Sequence, residues 1–274
     1  MKQVENRRMC PQCRAFITTD DKICPYCNNE VAPKAVSRRA ASDALGGLIP
    51  HARFTTMMIM LINTGLYIAT LLHTSRSGGG GMDPDAQTLF LFGAKYGPAI
   101  MAGQWWRLIT AGFLHGGILH ILMNMWVLFD LGAQVEEACG TSRFLVIYSV
   151  SNFTGFLASF YFLPSLSMGA SAAIFGLIGA MIGVGVRDRS SYGSALRSHY
   201  VRWAVYGLVL SVIPGIDYAA HVGGLLGGFL VGFVGGTPGY SAIVERAWQI
   251  AAGVALAITG VAFFEMTTVL LSAR

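Results

Sequence analysis

The sequence predicts an all-α fold, a polytopic bundle of membrane-spanning helices preceded by a small cysteine-rich module. Charged residues make up 12% of the 274 residues and hydrophobic residues 54%, whereas about 25% of a soluble domain is charged. Seven apolar stretches recur along the chain, and a helix needs about 20 such residues to cross a bilayer. These features exclude a soluble protein and predict a six-span core followed by one further carboxyl-terminal span.

The cysteine-rich module, residues 1–28, contains two Cys-x-x-Cys knuckles, Cys10/Cys13 and Cys24/Cys27. This spacing can present four thiolates as a tetrahedron, the geometry of a structural Zn²⁺ site. The module has few large apolar residues, so it needs a cross-link or a metal in order to fold. Disulfides are the alternative, but the cytoplasmic location argued below would keep the thiols reduced. The pattern therefore predicts a zinc ribbon. The fifth cysteine of the chain, Cys139, lies outside this module and has no partner nearby in the sequence.

The distribution of lysine and arginine orients the bundle. Residues 29–54 form a basic linker, nine of the nineteen basic residues precede the first span, and four lie between the fourth and fifth spans. If all seven spans cross, both groups fall on one side, which the positive-inside rule makes cytoplasmic. We therefore expect an integral membrane protein of a prokaryotic inner membrane with its amino terminus in the cytoplasm. The net charge of +5 then reflects topology and does not indicate nucleic-acid binding.

The spans are placed by apolar runs between polar breaks. They are predicted at residues 55–72, 117–134, 144–163, 172–186, 203–213, 218–234 and 248–271. The core thus covers residues 55–236, and residues 237–274 contain the extra helix. The loop before the second span is itself apolar and carries Trp105 and Trp106, which are expected at the membrane interface.

Ser171 stands at the start of the fourth span, which contains no charge up to Val186. Small residues recur there at helical spacing and form one smooth stripe against which another helix can pack closely. The members of this stripe are Ala172, Gly176, Gly179 and Gly183. A serine at this position can also be a simple N-cap.

His221 begins a matching segment in the sixth span. Glycines follow it every four residues, at Gly224, Gly228, Gly232 and Gly236, and their natural partner is the stripe of the fourth span. Such packing would bring His221 within reach of Ser171. The alternative is a structural histidine whose ring hydrogen-bonds a backbone carbonyl. However, burying an ionisable group inside a membrane span is costly, so such a group usually has a function.

His120 and Asn124 lie one turn apart in the second span, so their side chains share a helical face. Two hydrogen-bond donors side by side suit an oxyanion better than a metal, because no third ligand follows at the expected spacing. His73 and His115 are given no chemical role.

Together these segments resemble the rhomboid family of intramembrane serine proteases, over about residues 94–236. The resemblance rests on Trp106-Arg107, His120-x-x-x-Asn124, Gly169-x-Ser171 and Ala220-His221-x-x-Gly224-x-x-x-Gly228. It implies that Ser171 is the nucleophile and His221 its base, with no carboxylate third member and no catalytic cofactor. It also implies an oxyanion hole formed by His120, Asn124 and the Ser171 N–H, and a first loop held in the outer leaflet by Trp106-Arg107. Two positions depart from the family pattern, since Ala172 replaces a common glycine and Phe175 replaces a common tyrosine while keeping a ring that can stack on His221.

The resemblance implies an endopeptidase that cleaves single-span membrane proteins near the outer face of the bilayer. A polar cavity is then expected to open outward between the second, fourth, fifth and sixth spans. A catalytically silent adaptor that binds transmembrane clients is the alternative, although such relatives typically lose Ser171 or His221. The hypothesis of a channel or transporter has less support, because the polar residues cluster at one depth and do not line a pathway across the bilayer. The zinc ribbon, which lies outside the resembling region, could dock a cytoplasmic protein partner.

Overall fold

A computed structural model describes residues 7–10, 12–13, 15–18, 21–31, 53–239 and 241–272. The chain divides into two compact units, residues 1–51 and residues 52–274, and each is described by itself. Most of the predicted basic linker lies outside the described residues.

The small unit contains a two-stranded sheet. Strand β1 (Arg7–Met9) pairs antiparallel with β2 (Phe16–Thr18), and an isolated bridge joins Ile23 to Glu30 in the segment that follows. Its buried core consists of Cys10, Ile17, Cys24 and Val31. Two of the four knuckle cysteines are thus core residues in the described part of this unit.

The large unit is mostly helical over its described residues. Its helices are α1 (Phe54–Arg76), α2 (Ala86–Leu91), α3 (Gly97–Met101), α4 (Arg107–Thr110), α5 (Ile118–Val127), α6 (Ala133–Cys139), α7 (Thr141–Phe162), α8 (Ser171–Arg187), α9 (Ser191–Leu210), α10 (Tyr218–Gly235) and α11 (Ala242–Ser272). Helices α5 and α6 are continuous through a π-helical turn, Leu128–Gly132. The prediction of a polytopic all-α membrane protein is confirmed.

Five of these segments are long and apolar enough to cross a membrane: α1, α5 with α6, α7, α10 and α11. Helix α8 is apolar but has only 17 residues. Helix α9 has 20 residues but is not among the five. The count of seven spans therefore stays a prediction.

One expectation about the segments between spans is wrong. Helix α9 begins at Ser191, not near residue 203, because the Ser190 hydroxyl accepts a hydrogen bond from the Gly193 N–H and caps a helix that runs through the basic segment. Trp106 is 2% exposed and packs in the main hydrophobic core with Ile59 and Phe113, whereas Trp105 is 42% exposed, and their place at the membrane interface stays a prediction.

Helices α8 and α10 form the most extensive helix pairing among the described residues of the large unit. A Cβ atom added at Gly224 would lie 2.0 Å from the Ala172 carbonyl oxygen, and one at Gly228 would lie 1.9 Å from the Gly176 carbonyl oxygen. The two glycine stripes thus face each other, as predicted from their spacing. Gly236 does not belong to this contact, because α10 has ended and a Cβ there would meet the Arg187 side chain.

Helix α11 is joined to the core near its amino-terminal end. The Arg143 guanidinium of α7 binds the Glu245 carboxylate through both terminal nitrogens, at 2.6 and 2.9 Å. The same guanidinium lies 5.2 Å from the centre of the Trp248 ring. A bidentate ion pair with a buried arginine fixes geometry more strongly than an exposed pair does, so this end of α11 is anchored to α7.

Candidate active site

Ser171 and His221 lie in hydrogen-bond contact. The Ser171 Oγ is 2.8 Å from the His221 Nε2, and the pairing of α8 with α10 brings the two residues together. His221 is 7% exposed, while Ser171 is half-buried. The Phe175 ring stacks on the imidazole with centroids 4.2 Å apart and an angle of 18°, which confirms the expected stacking of this ring on His221.

Ser171 does not act as an N-cap. Helix α8 is preceded by Ala170, and no side chain caps its first N–H groups. The Ser171 hydroxyl therefore remains available to His221. The Ser171 N–H belongs to the first turn, whose N–H groups have no partner within the helix, and the helix dipole there favours negative charge. A hydroxyl group in contact with His221 and an N–H group without a partner in the helix thus share one residue.

His120 faces the same place from α5. A Cβ atom added at Gly169 would lie 2.6 Å from the His120 Nε2 and 3.5 Å from the Ser171 Oγ, so all three residues meet around one point. The His120 Nδ1 accepts a hydrogen bond from the Gly116 N–H at 3.4 Å. In the neutral ring the proton then belongs on Nε2, which makes that nitrogen a donor beside Ser171.

Asn124 follows His120 by one turn of α5 and is 7% exposed. Within the described part of the chain its carboxamide has no hydrogen-bond partner, so its N–H groups are free to bind a ligand. His115, which was given no role, is fully buried with its ring 5.1 Å from that of His120. Neither nitrogen of His115 has a partner among the described residues, and the sequence carries no periodic signal that marks it.

A polar network that the sequence analysis missed ties together the segments around Ser171 and His221. The buried Lys95 ammonium donates to the carbonyl oxygens of Leu163 and Ser165 at 2.7 and 2.8 Å. The Asp217 carboxylate caps α10 by accepting from the Ala220 N–H at 2.9 Å, and it also accepts from the Ser159 and Ser167 hydroxyls. The one feature of the sequence that could have indicated this network is Lys95, a single lysine in a largely apolar loop.

Burial lowers the pKa of Lys95, while the nearby Asp217 carboxylate raises it. The aspartate therefore partly offsets the effect of burial on the lysine, across the segment that leads from α7 into Ser171. This segment also pairs with the first loop, because the backbones of Lys95 and Ser167 exchange two hydrogen bonds.

The buried side chain of Arg107 hydrogen-bonds to several residues of the first loop, which lies between α1 and α5. Its guanidinium donates to the carbonyl oxygens of Phe90 and Ala94 at 2.7 and 2.8 Å and to the Gln104 side chain at 2.6 Å. The side chain is fully buried, and burial lowers its pKa to about 10. The Arg107 guanidinium therefore organises the loop backbone.

The four knuckle cysteines of the small unit converge on one point. Their sulfurs all lie within 4.8 Å of one another, with Cys10 to Cys27 at 3.7 Å and Cys13 to Cys24 at 3.6 Å. Sulfurs bound to one zinc ion at about 2.3 Å in a tetrahedron are separated by about 3.8 Å. These cysteines form no disulfide, and their arrangement fits a tetrahedral Zn²⁺.

The electrostatics of the cluster also fit a cation. Backbone N–H groups of Cys13 and Gln12 stabilise the Cys10 thiolate and lower the pKa of that thiol to about 6. At Cys27 the Asn29 N–H acts in the same direction, but burial and the neighbouring thiols outweigh it and raise the pKa to about 12. The neighbouring thiols thus oppose ionisation of Cys27, and a bound cation would offset that opposition.

Comparison with known proteins agrees with this geometry. A model of the rhomboid domain matches residues 102–238, half of the chain. The chain belongs to the rhomboid family. The match covers the second to sixth predicted spans and includes Ser171, His221, His120 and Asn124. The small unit lies outside it.

Curated relatives place the chain among widely distributed rhomboids. It is 37% identical to "Rhomboid protease GluP" of Bacillus subtilis (strain 168), over 65% of this chain and 35% of that protein. It is 37% identical to "RHOMBOID-like protein 6, mitochondrial" of Arabidopsis thaliana, over 56% of this chain and 51% of the relative. It is 36% identical to "Rhomboid-like protease 3" of Toxoplasma gondii, over 55% of this chain and 57% of the relative. The chain thus spans between a third and about half of the length of the relatives first matched.

Proposed function

We propose that this rhomboid is a serine endopeptidase that cleaves transmembrane proteins near the outer face of the membrane, with Ser171 as nucleophile and His221 as general base. The observation that carries the proposal is the 2.8 Å contact between the Ser171 Oγ and the His221 Nε2. Two of the similar proteins are named as rhomboid proteases, which agrees with it. A catalytically silent adaptor would not need this contact.

The reaction begins when the Ser171 Oγ attacks the scissile carbonyl carbon and gives its proton to the His221 Nε2. The tetrahedral intermediate collapses as the imidazolium returns that proton to the leaving amine, leaving an acyl ester on Ser171. Water then attacks the ester with His221 again acting as base, which releases the new carboxylate and restores the serine. The peptide must be unwound at the cut, because a helix keeps its carbonyls hydrogen-bonded.

The negative charge of the intermediate is stabilised by the Ser171 N–H, the His120 Nε2–H and the Asn124 carboxamide. Support for this assignment comes from the Ser171 N–H at the start of α8, the Gly116 contact that leaves the proton on Nε2, and the unpaired, buried Asn124 carboxamide. Donors of this kind, fixed before the reaction, stabilise charge without reorganising. The outward-opening polar cavity expected from the sequence stays part of this proposal.

The test is labelling and cleavage in membranes. Purified protein in proteoliposomes should react with a fluorophosphonate probe and cut a model transmembrane substrate, and Ser171→Ala and His221→Ala should each abolish cleavage. The double variant should be no worse than either single one, because the two residues act as a unit. Ser191→Ala, which removes an exposed serine at the start of α9, is the matched control. Cleavage by Ser171→Ala at the wild-type rate would favour a different site, and a wild type that binds clients without labelling would favour the adaptor.

For the small unit we propose a structural zinc site formed by Cys10, Cys13, Cys24 and Cys27, in a ribbon on the cytoplasmic side. The support is the convergence of the four sulfurs described above. The zinc ion would cross-link the unit and contribute directly to its folding. The cytoplasmic amino terminus follows from the distribution of basic residues, and the ribbon is then free to dock a cytoplasmic protein.

A further inference from the structure

A second serine contacts the imidazole of His221 on the side away from Ser171. The Ser211 Oγ lies 2.6 Å from the His221 Nδ1, and this contact is buried. Ser211 is the C-cap residue of α9 and is 3% exposed. The imidazole is therefore held between two hydroxyl groups, one at each ring nitrogen.

The second bond of Ser211 fixes the direction of this contact. Its hydroxyl also lies 2.7 Å from the Gly207 carbonyl oxygen, one turn back in α9. A carbonyl can only accept, and a serine has a single hydroxyl proton, so that proton goes to Gly207. The Ser211 oxygen is then left to accept, and the hydrogen on the imidazole must lie on Nδ1. In the neutral ring the Nε2 therefore carries a lone pair directed at Ser171.

We propose that Ser211 is a positioning residue for catalysis, which selects the Nδ1–H tautomer of His221 and holds the ring against Ser171. This inference rests on the proposed protease function and adds a third group to the Ser171–His221 pair. A general base must present an unprotonated Nε2 to the serine, and the wrong tautomer cannot take its proton. The Ser211 oxygen keeps accepting from Nδ1–H when the imidazolium forms, so it serves the transition state as well as the resting state.

The surroundings of Ser211 favour one orientation of the ring. Phe175 stacks on the face of the imidazole, and an apolar cavity of about 550 Å³ lies beside Ser211. Its lining includes Leu163, Leu208, Val212, Ile216 and Val222. Ser211 supplies the hydrogen-bond contact to Nδ1 among the described residues, and the cavity that Ser211 itself lines offers space for an added methyl group at position 211.

The test compares Ser211→Ala with Ser77→Ala. Ser77 is the C-cap of α1, and its hydroxyl likewise donates to a carbonyl one turn back, that of His73 at 3.1 Å. Both variants lose the same kind of helix-end bond, but only Ser211→Ala loses the contact to His221. We expect Ser211→Ala to lower kcat about tenfold to a hundredfold with little change in KM, while Ser77→Ala keeps wild-type kinetics. Ser211→Thr should restore most of the lost kcat, because it keeps the hydroxyl.

A ¹⁵N NMR measurement on histidine-labelled wild type gives a readout independent of turnover. The His221 signal, assigned by its loss in His221→Gln, should show a protonated Nδ1 and an unprotonated Nε2 in the neutral ring. The opposite tautomer would overturn the proposal even if Ser211→Ala failed to fold. Folded Ser211→Ala with unchanged kcat, or a folded Ser211→Thr as slow as Ser211→Ala, would also overturn it. A wild type without any activity would instead refute the protease function, and the tautomer would still decide the role of Ser211.

Discussion

Gly169 shows how a single residue shapes the site from outside the reacting groups. Its φ is +133°, a conformation that residues with a Cβ rarely adopt. The absent side chain also leaves the space that the His120 Nε2 occupies, since a Cβ would lie 2.6 Å from that nitrogen. Glycine is therefore required here both for the turn into α8 and for the close approach of the His120 side chain.

The substitution Gly169→Ala separates these two requirements when compared with Gly103→Ala. Gly103 has a φ of +99° and nothing within 4 Å of an added Cβ. Both variants should lose about 1–3 kcal/mol of stability from the backbone conformation alone. Only Gly169→Ala should also displace His120, with a fall in kcat of about a hundredfold to a thousandfold. Thermal unfolding and substrate cleavage in detergent measure the two effects, and equal kcat in both variants would contradict the placement of His120.

At the scale of whole helices, the site depends on how closely α8 and α10 approach. Carbonyl oxygens of α8 lie where the Cβ atoms of Gly224, Gly228 and Gly232 would stand. In a bilayer, apolar side chains gain little by leaving lipid, so helix association relies on close packing of small residues. Ser171 and His221 stand at the starts of these helices, and a shift of the pair changes the distance between them.

Gly228→Ala tests this contact with a single added methyl group. The Cβ would lie 1.9 Å from the Gly176 carbonyl oxygen, so the helices must separate, at a cost of about 1–3 kcal/mol. Gly253→Ala is the control, because an added Cβ in α11 meets nothing within 4 Å and alanine should stabilise that helix by up to about 1 kcal/mol. We expect the Tm in detergent to fall and cleavage to slow for the first variant only. A Tm for Gly228→Ala at or above the wild-type value would show that α8 and α10 do not pack closely there.

Across the whole molecule, the features that could be predicted from the sequence are those that depend on the spacing of residues close together in the chain. The glycine stripes, the His120–Asn124 pair and the knuckles are periodic or closely spaced, so their shared faces follow from helix and turn geometry. The roles of Lys95 and Ser211 could not be predicted from local spacing. Their partners lie on distant segments of the sequence that come together only in the folded chain. The early start of α9 was missed because its first turns are polar, and capping rather than hydrophobicity sets its beginning.

The division of the chain into two compact units predicts that the zinc site of the small unit is not needed for cleavage by the large unit. The described hydrogen bonds of Ser171, His120 and His221 all come from residues of the large unit, and the rhomboid match begins at residue 102. We therefore expect one zinc ion per chain by metal analysis, lost in Cys24→Ser and kept in Cys139→Ser, whose thiol lies in the large unit. Deletion of residues 1–32 should leave cleavage in detergent unchanged, with any loss confined to cells where a partner docks. Purified protein without zinc, or a folded truncated enzyme without activity in detergent, would show that the small unit has another role.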